Sequence, residues 1–184
     1  MDPVTLDTAR MVLDTPLLSD APLVANYCTD PLFEAFMATP WPYRTSDAAY
    51  FLSKVVPEGW VTGYELTWAL RASTAGPLMG VIGWRPRLGD IGYWLGAPHR
   101  GSGLMTEAVN AVTDWIFATQ SVAAIGWECF FGNLASMSVA RKAGFTFTGE
   151  GPSHIVARDG GHPLSWHGVI GRGDPHSPTP GWPA

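Results

Sequence analysis

The chain has 184 residues, 46% apolar and 15% charged, with a net charge of −5 and a pI near 5.4. That is room for one domain with a full core, and it excludes wholesale disorder. With only two lysines, Lys54 and Lys142, the chain lacks the dense basic surface that nonspecific nucleic-acid or anionic-membrane binding needs, so neither is expected as a partner. Cys28 and Cys129 stand far apart in unlike contexts. They predict neither a disulfide framework nor a paired zinc motif, and no metal is expected. No run of about 18 apolar residues occurs, and the N-terminus carries acids where a secretion signal needs basic residues. The expectation is a cytoplasmic, single-domain protein.

Ala9 to Leu13 reads as a first short strand. Ser19-Asp20 can cap a helix through about Cys28, and Asp30-Pro31 opens another across LFEAFM. Pro40 to Tyr43 is a rigid loop, after which Thr45, Ser46 or Asp47 caps a helix that stops at Pro57. Tyr64 to Arg71 alternates Leu66, Trp68 and Leu70 on one face, a strand pattern. LMGVIGWR and Asp90 to Leu95 are two more strands, entered through turns at 75–77 and 86–89. From Gly101 the period becomes helical: Leu104, Met105, Ala108, Val109, Val112, Trp115 and Ile116 form one stripe about four turns long. Val122 to Phe130 is a strand, Asn133 to Lys142 a helix stopped by Ala143-Gly144, and Phe145 to Thr148 and Leu164 to Ile170 are two last strands. Residues 171–184 are half Gly and Pro with almost nothing apolar, and read as a tail outside the fold. The order predicts a mixed, mostly antiparallel sheet with helices on both faces: short turns make antiparallel neighbours, and the 102–119 helix crosses between a parallel pair.

The chemistry concentrates in IGYWLGAPHRGSGLMTEAV, residues 91–109. A strand ends and Arg100-Gly101-Ser102-Gly103 opens a long helix. The two glycines let the backbone approach a ligand, and first-turn amides with the positive end of the dipole suit a pyrophosphate. A P-loop would need Gly-Lys-Ser/Thr where Leu104-Met105 stands, and a dinucleotide fold a third Gly where Thr106 stands. Glycines serving only the strand-to-helix turn are the structural alternative.

R-G-S-G-L-M-T-E-A resembles the acyl-CoA pyrophosphate motif of the GNAT N-acetyltransferases, with Arg100, Gly103 and Met105 at its three marked positions and Met105 larger than the usual small residue. Thr-Glu-Ala after it, Asn133-Leu-Ala-Ser136, Arg141-Lys142-Ala143-Gly144-Phe145, IGYW at 91–94 and WPY at 41–43 resemble the RimJ/RimL-type branch. The resemblance covers about residues 8–172 and makes 1–172 a single acyltransferase domain, with 173–184 a Pro/Gly-rich tail. It implies an α/β fold of the α+β type, GNAT-like: a mixed, mostly antiparallel central sheet of about six to seven strands flanked by helices, with a V-shaped splay between the central strands. It implies acetyl-CoA, or another acyl-CoA, as cosubstrate, and an amine acceptor: a peptide N-terminus or a small molecule. Residues 101–105 (Gly101, Ser102, Gly103, Leu104, Met105) and Arg100 would hold the pyrophosphate. The backbone of Tyr93, Trp94 and Leu95 would pair with the amide-rich pantetheine, and Asn133 and Ser136 would contact the same arm.

Acyl transfer to an amine needs a neutral amine beside the thioester, a donor to the oxyanion and a proton for the leaving thiolate. Direct attack in a ternary complex is expected, since neither cysteine has a histidine at an activating spacing. The oxyanion donor would be a backbone N–H near Leu95, and Ser136 the acid toward sulfur, with helix capping as its structural alternative. The base is open: Glu128 is one candidate, Glu65 its competitor, and Glu150 borders the same region. Glu107, in the first turn of the phosphate helix, reads as structural. His154, His162 and His167 read as surface or satisfied histidines. The acceptor pocket is expected from the helices at 19–56, Trp41 and Tyr43 in the proline-flanked loop, Glu65 and the 150–163 hairpin, unless Trp41 and Tyr43 merely plug the core. A longer acyl group such as succinyl, a non-catalytic acyl-CoA sensor and a homodimer all remain open.

Overall fold

A computed structural model describes residues 1–183. Eight strands form one sheet: β1 (Leu6–Asp7), β2 (Val12–Asp14), β3 (Leu66–Arg71), β4 (Leu78–Arg85), β5 (Asp90–Leu95), β6 (Ala124–Phe130), β7 (Thr146–Pro152) and β8 (Leu164–Gly171), in the order β1-β2-β3-β4-β5-β6-β8-β7. All neighbours are antiparallel except β5 and β6. The reason is connectivity: tight turns join β3, β4 and β5, whereas α5 (Leu104–Thr119) carries the chain back to start β6 alongside β5. The sheet exceeds the expected strand count because the segment from Leu6 to Asp14 makes two short antiparallel strands rather than one.

Alternation distributes the sheet between two cores. Trp68, Ile82, Trp84, Ile91 and Trp127 share one core with Met105, Val109, Val112 and Ile116 of α5 and Met137 of α6 (Leu134–Lys142). On the opposite face Ala69, Val81 and Trp94 pack with α1 (Ala21–Tyr27), α2 (Pro31–Phe36) and α3 (Thr45–Tyr50), using Val24, Tyr27, Phe33 and Ala48. All six residues of β3 are therefore buried, not the one face that its alternation suggested.

Some local expectations are corrected. Asp20 does not cap α1 with its side chain. Its carboxylate is buried and takes both guanidinium amino groups of Arg71, at 2.9 and 2.6 Å, while Asp14 takes Arg71 Nε at 2.7 Å. Leaving either charge unpartnered in such a setting costs about 3–5 kcal/mol. The helix from Thr45 does not stop at Pro57: a π-helical segment (Phe51–Val55) leads into α4 (Val56–Thr62), where proline sits in the first turn and needs no amide partner, and Gly63 closes that helix at φ +67°. Asp47 supports the start of α3 by accepting from Arg44 N at 2.8 Å.

The tail is not outside the fold. His176 bridges Ala143 O and Asp114 Oδ1, at 3.0 and 2.9 Å. Trp182 packs against Trp127 and Phe147, with ring centroids 5.5 Å away in each case. Composition hid this, because one tryptophan anchors a segment that has no regular structure.

Candidate active site

The parallel pairing of β5 with β6 is limited to Asp90 with Gly126 and Ile91 with Trp127. Beyond Ile91 the strands part. Gly96 N donates to Met79 O at 2.9 Å, so the 79/96 pair is hydrogen-bonded across to β4, and alternation turns the amides of Tyr93 and Leu95 to the opposite edge, into the gap. The expected splay thus bares a short polar edge. The Leu95 carbonyl there is taken by Arg100 Nε at 3.0 Å, and its N–H is left facing the gap.

At the mouth of the splay the loop after Leu95 turns into α5. Gly101 and Gly103 both have φ +79°, a conformation open to glycine and strained for other residues. The amides of Gly101, Ser102 and Gly103 have no hydrogen-bond partner among the described residues, and the first-turn amides of Leu104, Met105 and Thr106 have none within the helix. Six consecutive N–H groups thus stand at the positive end of a 16-residue helix. A Cβ on Gly101 would meet nothing within 4 Å, and one on Gly103 only Arg10 at 3.6 Å. Bared amides beside open space are what a diphosphate requires. Ser102 Oγ returns to His99 O at 3.1 Å, so its contribution is the amide alone.

These groups border a cavity of about 490 Å³ running from Gly101, Gly103 and Leu104 to Tyr93, Asn133 and Ser136. Lys142, exposed at the end of α6, lines the same cavity. In sequence Lys142 stands only within a helix-ending motif; it reaches the cavity wall because α6 lies beside α5. Arg100 also lines the cavity, but its NH1 is paired with Asp30 at 2.7 Å. Its charge is shared with that carboxylate, and it ties the loop before α5 to the end of β5 and the start of α2. Asp30 is held below the usual carboxylate range, first by the Leu32 amide and then by Arg100, against some burial. Glu107 bonds to the backbone N of Arg10 at 2.9 Å and to its Nε at 2.6 Å. It is structural, as expected.

A second cavity, of about 300 Å³, opens on the α1–α3 side. It shares Phe36, Met37, Tyr93, Trp94, Asn133 and Ser136 with the first, so the two meet at the splay. Glu65 and Glu128 both line it. The Glu65 carboxylate has no hydrogen-bond partner among the described residues. It reaches over Gly83, where a Cβ would collide with it. Burial pushes it above its ordinary value, with Arg85 opposing and Asp90 reinforcing. Arg85 itself is held in a bidentate pair by Asp90, both contacts at 2.8 Å. Thr39 Oγ1 is buried on the wall without a partner among the described residues.

Glu128 is differently placed. Its carboxylate accepts from Ser153 Oγ at 3.0 Å, His154 N at 3.0 Å and Ile155 N at 3.1 Å, so much of its accepting capacity is spent on folding the 153–155 turn over the sheet. Glu150 accepts from Trp166 Nε1 at 3.0 Å and does not line the cavity. Trp41 and Tyr43 are corrected as pocket residues: both pack into the core of the α1–α3 layer and line neither cavity. Phe36, Met37 and Thr39 take their place. Arg158, in the 150–163 hairpin, holds this segment by donating to Met37 O at 2.9 Å and Thr39 O at 3.0 Å, a link across 119 positions or more that spacing could not disclose.

Where the cavities meet, Trp127 Nε1 donates to Ser136 Oγ at 3.2 Å, Ser136 Oγ donates to Tyr93 Oη at 3.3 Å, and Tyr93 Oη donates to Ser136 O at 3.0 Å. Burial pushes the Tyr93 phenol upward, so it stays protonated at neutral pH. Asn133 Oδ1 caps α6 by accepting from Ser136 N at 3.1 Å. Burial raises both thiols, Cys28 and Cys129, to about 12, which leaves neither a nucleophile.

Comparison with known proteins agrees with this geometry. The family model described as acetyltransferase (GNAT) domain matches residues 10–146. The probable N-acetyltransferase YjcK of Bacillus subtilis (strain 168) is 46% identical over 55 residues, a stretch that spans only 30% of this chain and 30% of that protein. Two solved structures share the fold. An acetyl transferase from Salmonella typhimurium that modifies the N-terminal serine of ribosomal protein L7/L12 matches with a TM-score of 0.76 at 16% identity, over 91% of this chain and 99% of that one. The Microcin C7 self-immunity acetyltransferase MccE, in complex with acetyl-CoA and AMP, matches with a TM-score of 0.74 at 20% identity, over 89% of this chain and 93% of that one.

Proposed function

The chain belongs to the GNAT acetyltransferase family, and from that premise we propose that it transfers the acetyl group of acetyl-CoA to a primary amine by direct attack, with Glu65 as the group that receives the amine. The observation that carries this reading is the meeting of two cavities at one point. One is walled by helix-end amides and the other by a carboxylate, neither with a hydrogen-bond partner among the described residues.

Acetyl-CoA supplies an activated thioester. Gly101 to Thr106 would bind its diphosphate through their amides, with Lys142 adding a cation at the rim. The inward amides of Tyr93 and Leu95 would pair with the pantetheine arm and orient the acyl carbonyl, the Leu95 N–H serving as donor to its oxygen. Asn133 would support the same arm. Glu65, shifted toward neutrality by burial, holds an ammonium as a carboxylate and takes its proton, directly or through water. Thr39 offers the acceptor a hydroxyl. Ser136 Oγ, polarised by Trp127 and linked to a phenol that keeps its proton, delivers a proton toward sulfur. Glu128 is assigned to shaping the pocket rather than to the base role. The pocket of about 300 Å³ suits a small amine or the terminal residue of a peptide, and the two structural relatives exemplify proteins that act on a peptide terminus and one that is bound to AMP.

The test is thiol release from acetyl-CoA against N-terminal peptides, amino acids, polyamines and aminoacyl nucleotides. Acceptor-dependent release that is lost in Glu65→Gln supports the reading. Acetyl-CoA binding with no release for any acceptor class would sink it and leave a sensor.

A further inference from the structure

Three ligating side chains converge beside, and not within, the transfer machinery. Glu128 lies on β6, His167 is its direct cross-strand partner on β8, and His154 sits in the turn after β7 that folds over both. Cross-strand pairing puts Glu128 and His167 on the same sheet face. Glu128 Oε2 is 3.6 Å from His154 Nδ1 and 3.5 Å from His167 Nδ1, and one ligand atom from each residue lies within 4.8 Å of the others. The two rings are 5.3 Å apart, and neither makes a hydrogen bond among the described residues.

The two carboxylate–imidazole separations favour one of two explanations. A hydrogen bond would bring nitrogen and oxygen to about 2.7–3.2 Å. An ion bound tetrahedrally, with about 2.0–2.2 Å to each ligand, sets its ligand atoms roughly 3.3–3.6 Å apart. The observed 3.5 and 3.6 Å fit the second. We propose that Glu128, His154 and His167 form a binding site for a zinc-class divalent cation.

The donor set agrees. Two imidazoles and one carboxylate suit zinc and its transition-metal neighbours, and not magnesium or calcium, which take oxygen ligands. The carboxylate is already oriented: the Ser153 hydroxyl and the amides of His154 and Ile155 fix it. The Glu128 side chain is 3% exposed and that of His154 is 72% exposed, so the site has a buried anchor and an open entrance. Three protein ligands leave a fourth position for water. A bound ion would stitch β6, β8 and the intervening turn together, and so fix Ile155 on the wall of the acceptor cavity.

The experiment is equilibrium dialysis of the full chain against zinc chloride with metal analysis, repeated with cobalt(II) for its visible absorption. One zinc per chain at micromolar free zinc is expected, with cobalt bands of tetrahedral character. His154→Ala and His167→Ala should each weaken binding about 100-fold, while His176→Ala leaves it unchanged. Because His154 is exposed, its variant should fold, and melting confirms it: zinc should raise the Tm of the wild type and not that of His154→Ala. Less than one zinc per wild-type chain, or unchanged affinity in a folded His154→Ala, overturns the proposal. Acceptor-dependent thiol release does not enter into either outcome.

Discussion

Trp182 meets Trp127 edge-on, centroids 5.5 Å apart and planes at 64°, and the Trp127 indole donates to Ser136 Oγ at 3.2 Å. Trp182 thus rests on the residue that polarises the candidate proton donor. Trp182→Ala, or deletion of 173–184, should cost about 2 kcal/mol, less than a full Trp deletion in a core. That corresponds to roughly 4–8 °C in Tm for a domain of this size. Thermal melting checks it; an unchanged Tm would return the tail to the status of an ornament.

Glu65→Gln should lower kcat/KM by roughly 10²–10⁴-fold and remove the acidic limb of the pH profile. The sign follows from burial. The folded carboxyl has a raised pKa, so the base form appears, and activity climbs, only as pH passes above the ordinary carboxylate range. Stability runs the other way. The folded state holds this proton more tightly than the unfolded chain does, so stability is full below the unfolded pKa and is lost as pH rises through the folded one. The Gln variant, which cannot ionise, should therefore melt higher than wild type at neutral pH while losing activity. Equal pH profiles would remove Glu65 from the base role.

Gly103→Val places a β-branched residue at φ +79°, where a side chain costs about 1–2 kcal/mol, and fills the cradle. The KM for acetyl-CoA should rise at least about tenfold with kcat less affected. An unaltered KM would show that the amides of 101–106 do not hold the diphosphate.

Ser136→Ala and Tyr93→Phe should each reduce kcat by about 10–100-fold. The two hydroxyls share one hydrogen-bonded pair, so the double variant should lose far less than the product of the two. Multiplicative losses under rate-limiting chemistry would separate their roles.

Lys142→Ala should raise the KM for acetyl-CoA modestly, about three- to tenfold, and flatten its dependence on ionic strength, because an exposed cation acts through a screened field. Steady-state kinetics at low and high salt would show it.

The sequence by itself determined the parts whose causes are local. Strands β4 and β5 fall where LMGVIGWR and DIGYWL put them. The apolar stripe from Leu104 to Ile116 lies on the buried face of α5, and Asp30 and Asn133 cap the helices they precede. Glycine conformations and free helix-end amides are properties of neighbouring residues, so the bared amides that open α5 were readable too. Tertiary structure alone decided which carboxylate is free. Glu65 and Glu128 look alike in sequence, but one lies over Gly83 with no hydrogen-bond partner among the described residues and the other is claimed by Ser153 and two amides 25–27 positions away. It also decided that Trp41 and Tyr43 fill the core, that Trp182 is anchored, and that two histidines converge on one carboxylate. Those outcomes depend on how strands are ordered and which faces meet. Packing fixes such relations between distant residues, and no local pattern encodes them.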